Sequence, residues 1–153
     1  LEKLFLAKNI EDFIIDPYQI CEMKAYSADA VLLIAKIISA GRLVQFVRLT
    51  KKLNMEPVVE VQTELELKNA LDTDTKIIAV NARNLESFEV DVDKACGLLK
   101  LIPKKYVTLG FSGVVGRSDV EKYKKAGAKG ILAGTALMKS KDIKGFIREL
   151  KGL

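Results

Sequence analysis

Short β-rich apolar runs that alternate with amphipathic helical segments predict an α/β fold, a parallel sheet of about six β/α units. Two further observations support this reading. Helix-start signals fall between the runs, and the polar and glycine residues collect in the segments just after them. The chain of 153 residues, 49% hydrophobic and 29% charged, is long enough to bury one core. A single incomplete domain is expected over residues 1–153, with 1–11 an irregular or helical N-terminal remnant and 12–153 the six units.

The predicted strands are residues 13–15, 30–34, 57–61, 77–80, 106–109 and 130–133. Asp16 before Pro17 reads as an N-cap with proline at the first helical position. Between the second and third runs, Leu43, Val44, Phe46, Val47 and Leu53 keep helical spacing, while Arg48, Lys51 and Lys52 can face water. Thr63 with Glu66, and Ser118 with Glu121, have capping-box spacing. Phe146, Ile147 and Leu150 mark a last helix, expected to cover the last strand.

Composition excludes several function classes. The net charge is +5 and the pI about 9.1, but Lys and Arg alternate with Asp and Glu along helices, which argues against a nucleic-acid partner. No run approaches the ~20 apolar residues of a membrane span and no leader is legible, so a cytosolic chain without a membrane partner is expected. With no histidine, Ser-His-Asp and Cys-His systems are excluded and a zinc site lacks its commonest ligand. Proton transfer falls to Glu, Asp, Lys, Tyr or Cys. Cys21 and Cys96, far apart and outside any CxxC, read as reduced thiols that pack.

Strand spacing alone suits a closed barrel or an open doubly wound sheet, and the segments after the strands decide for the barrel. Gly110-Phe111-Ser112-Gly113-Val114 and Gly134-Thr135-Ala136-Leu137-Met138 form a pair of β-Gly-Ser/Thr loops. Such loops offer backbone N–H groups to a phosphate that a side chain would hold off. The alternative is that Gly110, Gly113 and Gly134 only serve tight turns. Glu60 ends an otherwise apolar strand; buried there, it suits general acid or base work, whereas exposed it is a plain strand-end glutamate. Asn81 and Arg83 follow the next strand and share one side; they suit a hydroxyl and a carboxylate or phosphate, or else a loop salt bridge.

Five segments, followed by 132–138, give the chain a family likeness: residues 12–20 (DFIIDPYQI), 28–34 (ADAVLLI), 59–61 (VEV), 80–85 (VNARNL) and 111–114 (FSGV). In order and spacing, from about residue 11 to the end, they resemble indole-3-glycerol-phosphate synthase, a tryptophan-pathway TIM barrel. The resemblance implies a cofactor-free, metal-free carboxy-lyase that closes the ring of 1-(2-carboxyphenylamino)-1-deoxyribulose 5-phosphate and releases carbon dioxide and water. It implies Glu60 as acid/base or orienting carboxylate. Asn81, assigned to the catalytic set, and Arg83 would hold the reacting sugar and anthranilate ends, and Ser112, Gly113, Gly134 and Thr135 the phosphate.

The departures fall on the chemistry. Glu11 stands at the family's catalytic lysine position, with Lys8 and Lys36 as weak substitutes, and Phe111 stands at a family glutamate position. Gln62 replaces a usual histidine, and Ala82 a position that is often polar. Compared with the family, the first two β/α units are missing. A severely impaired or inactive lyase is therefore expected, the alternative being a non-catalytic phosphate-ligand-binding or self-assembling barrel fragment. Two missing units would leave open sheet edges, so a homo-oligomer, or a chain supplying those units, is the expected partner beside a sugar-phosphate or inorganic phosphate ligand.

Overall fold

The computed structural model describes residues 9–10 and 12–153. Its strands are β1 (Asn9–Ile10), β2 (Ala30–Ile34), β3 (Glu56–Val61), β4 (Ile77–Asn81), β5 (Val107–Phe111) and β6 (Gly130–Leu132). The helices are α1 (Pro17–Ala25), α2 (Ala40–Lys52), α3 (Glu64–Leu71), α4 (Val92–Leu101), α5 (Arg117–Lys125), α6 (Thr135–Lys139) and α7 (Ile143–Lys151). Strands are ordered β1-β2-β3-β4-β5-β6, and alternate with helices as a truncated TIM-barrel series does. The chain divides into two compact units, one ending at Ile78 and the other Ala79–Leu153. Among the described residues, no helix is long and apolar enough to cross a membrane.

In the first unit, β1, β2 and β3 pair in parallel, with Asn9 opposite Ala30 and Ile34 opposite Glu60. Val31, Leu33, Val59 and Val61 are fully buried, as expected of parallel strands covered on both faces. Helix α2 packs on β2 and β3 and buries Leu43, Phe46, Val47 and Thr50, leaving Arg48, Lys51 and Lys52 in solvent as predicted. The Thr50 hydroxyl turns back onto the Phe46 carbonyl at 2.8 Å, so its burial leaves no polar atom unpaired.

The first predicted strand is displaced. Residues 13–15 form a loop, and β1 lies upstream at Asn9–Ile10, where an irregular or helical remnant was expected; the rest of residues 1–8 and Glu11 lie outside the described residues. The reason is Gln19. Its amide oxygen accepts from Ile15 N (2.8 Å) and Asp16 N (2.9 Å), and its amide nitrogen donates to Phe13 O (3.1 Å), consuming groups that a strand would offer to a neighbour. Ile14 alone of the three is buried, with Phe13 and Ile15 exposed. Asp16 caps α1 as predicted, accepting from Tyr18 N at 2.8 Å, and Gln19 completes its capping box. On α1, Ile20 and Met23 take the buried side, which leaves Cys21 exposed instead of packed.

Thr63 caps α3, accepting from Glu66 N at 3.2 Å, while the Glu66 carboxylate reaches back one residue further, to Gln62 N at 2.7 Å.

The second unit pairs β5 with β6, Phe111 opposite Leu132, and buries Ala95, Cys96, Leu98 and Leu99 of α4 with Tyr123 of α5. Helix α5 begins before the predicted Ser118 cap. Asp119 accepts from Val115 N (3.0 Å) and Gly116 N (3.3 Å), so Gly116 becomes the N-cap and Glu121 pairs with Arg117. Helix α7 packs chiefly on α5 and α6. Its one buried residue is Leu150, and the Leu150 carbonyl accepts from Arg117 of α5.

Candidate functional site

The candidate residues leave the C-terminal ends of their strands, where parallel α/β folds place ligand groups. In the first unit, Glu60 is 3% exposed, which removes the reading of a solvated strand-end glutamate. Period-two alternation puts it on the strand face opposite Val59 and Val61. Lys36 follows β2 on a half-buried 3₁₀ turn (Ala35–Ile37). Lys8 and Glu11 lie outside the described residues.

The remaining candidates belong to the second unit. Asn81, the last residue of β4, accepts from the Arg83 backbone N at 2.9 Å in an Asx turn. Arg83 donates from Nη1 to the Phe88 carbonyl at 3.2 Å and pairs in backbone with Val90. The guanidinium therefore braces its own loop through a carbonyl. Asn84 shapes the tip of that loop, accepting from Glu86 N (2.8 Å) and Ser87 N (3.3 Å).

The loop after β4 is tied to the end of β5: Ala82 N donates to Phe111 O at 2.9 Å, and Asp91 N to Ala82 O at 3.0 Å. Strand β5 runs on through Gly110 and Phe111, two residues past the predicted end. Gly110 is therefore not a loop glycine. It makes room for a ring, since a Cβ there would lie 2.4 Å from Tyr123 Cδ1. Tyr123 is fully buried, and its hydroxyl reaches Phe111 O (3.2 Å) and Ser112 O (3.0 Å). Burial first, then the nearby Cys96 and Asp119, pushes its phenol well above the usual tyrosine range. Burial followed by Asp93 likewise raises the Cys96 thiol, so Cys96 is a poor nucleophile.

Ser112 and Gly113 turn the chain with φ of 65° and 73°, and a Cβ on Gly113 would lie 2.5 Å from Val92 Cγ2 and 2.9 Å from Val90 Cγ1. The fold thus requires glycine at 113. Gly134 is different. Its φ is −91°, and among the described residues nothing lies within 4 Å of where its Cβ would be. Because Phe111 faces Leu132 in the register, Ser112-Gly113 and Gly134-Thr135 leave adjacent strands side by side. Ser112 and Gly113 are half-buried; Gly134 and Thr135 are exposed.

Comparison with known proteins adds the family. The model for indole-3-glycerol phosphate synthase matches residues 2–150. The chain belongs to the indole-3-glycerol phosphate synthase family. It is 40% identical over 140 residues to the indole-3-glycerol phosphate synthase of Dehalococcoides mccartyi, covering 92% of this chain and 54% of that protein. It is 41% identical over 143 residues to a multifunctional tryptophan biosynthesis protein of Schizosaccharomyces pombe, covering 94% of this chain and 19% of that one. The chain thus spans about half the length of the synthase it matches.

Solved structures agree on the fold. A 3-hexulose-6-phosphate synthase from Salmonella typhimurium superposes with a TM-score of 0.78 at 16% identity, over 94% of this chain and 71% of that one. A chain of the tryptophan synthase a2b2 complex of Pyrococcus furiosus gives 0.68 at 20% identity, over 90% and 61%. Within the family framework, Phe111 has its ring buried, 8% exposed, where the resemblance has a glutamate. Tyr123 was not legible as a site residue, because on α5 it occupies an ordinary core position. The available signal was Gly110 inside an apolar run, which marks close approach of another group.

Proposed function

We propose that this chain binds the phosphate end of an indole-3-glycerol-phosphate synthase substrate, in tryptophan biosynthesis, and that as this chain its ring-closing lyase activity is severely impaired or absent. The observation that carries the binding reading is Gly134. Neither its backbone angles nor its neighbours among the described residues demand glycine, yet it stands beside the Ser112-Gly113 turn, where a missing side chain would let an anion approach backbone amides. In the second unit, Ser112, Gly113, Gly134 and Thr135 would take the phosphate, and Asn81 and Arg83 the sugar and anthranilate ends; for Glu60, buried in the first unit, the family resemblance implies an acid/base or orienting carboxylate.

Ring closure forms a carbon–carbon bond to the substrate's keto carbon, whose oxygen must gain a proton. Carbon dioxide then leaves, followed by that oxygen as water. Glu11 and Phe111 stand where the family's lysine and glutamate would serve these transfers. Each lost proton-transfer group typically costs ~10² to 10⁴ in rate.

The test is to titrate the chain with inorganic phosphate by calorimetry, and to supply 1-(2-carboxyphenylamino)-1-deoxyribulose 5-phosphate while following indole fluorescence. Phosphate binding that disappears in Gly134→Asp, with little or no indole product, is the expected result. The open space at Gly134 lets that variant fold. Turnover near that of the curated synthases would overturn the impairment, and absence of phosphate binding would overturn the binding reading.

A further inference from the structure

We infer that Tyr123 is a positioning residue for anion binding at the turn after β5, its hydroxyl aiming the backbone N–H groups of Ser112 and Gly113 toward the phosphate. The inference rests on the phosphate reading above.

The Tyr123 hydroxyl shares its proton between two consecutive carbonyls, Phe111 O at 3.2 Å and Ser112 O at 3.0 Å. The peptides are trans, and in a trans peptide C=O and N–H point in opposite directions. The other ends of these two peptides are the N–H groups of Ser112 and Gly113, which therefore point away from the buried hydroxyl. Consecutive N–H groups on one side of the chain form a concavity that suits an anion. Ordinary extended backbone alternates its carbonyls; the left-handed φ of 65° at Ser112, the residue between the two peptides, instead lets neighbouring carbonyls share one side.

The two peptides are not held equally. Phe111 O also accepts from Ala82 N at 2.9 Å, whereas Ser112 O has the Tyr123 hydroxyl. The hydroxyl thus chiefly controls the Ser112–Gly113 peptide. The ring itself is fixed in the hollow left by Gly110 and is fully buried, so the hydroxyl sits at a set height beneath the turn.

Tyr123→Phe removes the hydroxyl and keeps the ring. Thr108→Val is the control: it deletes another hydrogen bond of β5, from Thr108 Oγ1 to Gly127 O at 2.8 Å, away from the turn. Affinity for inorganic phosphate is measured by calorimetry on the unsubstituted chain and both variants, and the amide resonances of Ser112 and Gly113 are followed by ¹⁵N NMR without ligand.

The expected result is about tenfold weaker phosphate binding in Tyr123→Phe, the scale of one lost hydrogen bond, with the Gly113 amide displaced. Thr108→Val should bind as the unsubstituted chain does. Equal affinity in Tyr123→Phe, or equal weakening in both variants, would overturn the inference. If the unsubstituted chain binds no phosphate, the phosphate reading fails and the role of Tyr123 with it. That failure is seen before any substitution, so the two remain distinguishable.

Discussion

The turn after β5 and the turn after β6 carry similar residues, Ser112-Gly113 and Gly134-Thr135, but the fold treats them differently. At Ser112-Gly113 the backbone is left-handed, Val90 and Val92 crowd the space where a Cβ would go, and Tyr123 holds the carbonyls from beneath. At Gly134 the backbone angle is ordinary and, among the described residues, the space is open. The difference teaches that a glycine loop is not one kind of feature. Packing accounts for the glycine at 113, and among the described residues it does not account for the glycine at 134.

Three measurements test the difference between the two turns. The largest effect is expected for Gly113→Ala. A left-handed backbone costs a side chain ~1–2 kcal/mol and overpacking typically 1–3 kcal/mol, so a loss of about 3 kcal/mol is expected in urea unfolding. A loss below about 0.5 kcal/mol would show that Val90 and Val92 yield easily, and the two turns would no longer differ.

A smaller effect comes from the Tyr123 anchor. Its phenol is raised by burial, so the folded chain keeps it neutral at a pH where an ordinary tyrosine in the unfolded chain, near pKa of about 10, ionises. This linkage leaves stability unchanged below about pH 9 and lowers it as pH rises through about 10 toward the folded value. Tyr123→Phe has no such loss. The urea-midpoint advantage of the unsubstituted chain over the variant should therefore shrink between about pH 8 and about pH 10.5. An advantage that is constant with pH would contradict the burial of a neutral phenol.

The smallest effect is expected for Gly134→Ala. A Cβ there meets open space at an allowed φ, so stability should stay within about 0.5 kcal/mol by thermal or urea unfolding. A loss comparable to that of Gly113→Ala would mean the β6 turn is also held by the fold, removing the ground for reading it as an anion site.

Much of the fold was legible because burial writes itself into local pattern. The all-apolar run 30–34 is β2 to the residue, and 57–61 misses only Glu56 of β3, since parallel strands covered on both faces tolerate few polar side chains. The cap at Asp16 was equally readable, because its partners lie within three residues. Residues 13–15 misled for the complementary reason. Phe13, Ile14 and Ile15 have strand composition, yet their backbone groups are taken by Gln19 across a turn of chain that composition does not register.

The candidate site divides along the same line. Asn81 and Arg83 were expected on one side; the structure joins the Asn81 side chain to the backbone N–H of Arg83, a contact two residues apart. For Glu60 the sequence left buried and exposed readings open, and the packing of β3 decided for burial. Tyr123 was hidden because its partners Gly110, Phe111 and Ser112 lie 11 to 13 residues earlier in the chain, beyond the reach of any local pattern.

The family, the β/α alternation, the lack of histidine in these 153 residues and the two glycine loops could all be read from the sequence, since each depends on residue type and near-neighbour spacing. Which of those glycines the packing requires came from the fold. Whether a missing side chain serves the fold or leaves room beside it depends on atoms brought close from elsewhere in the chain: the Tyr123 ring at Gly110, Val90 and Val92 at Gly113, and open space at Gly134.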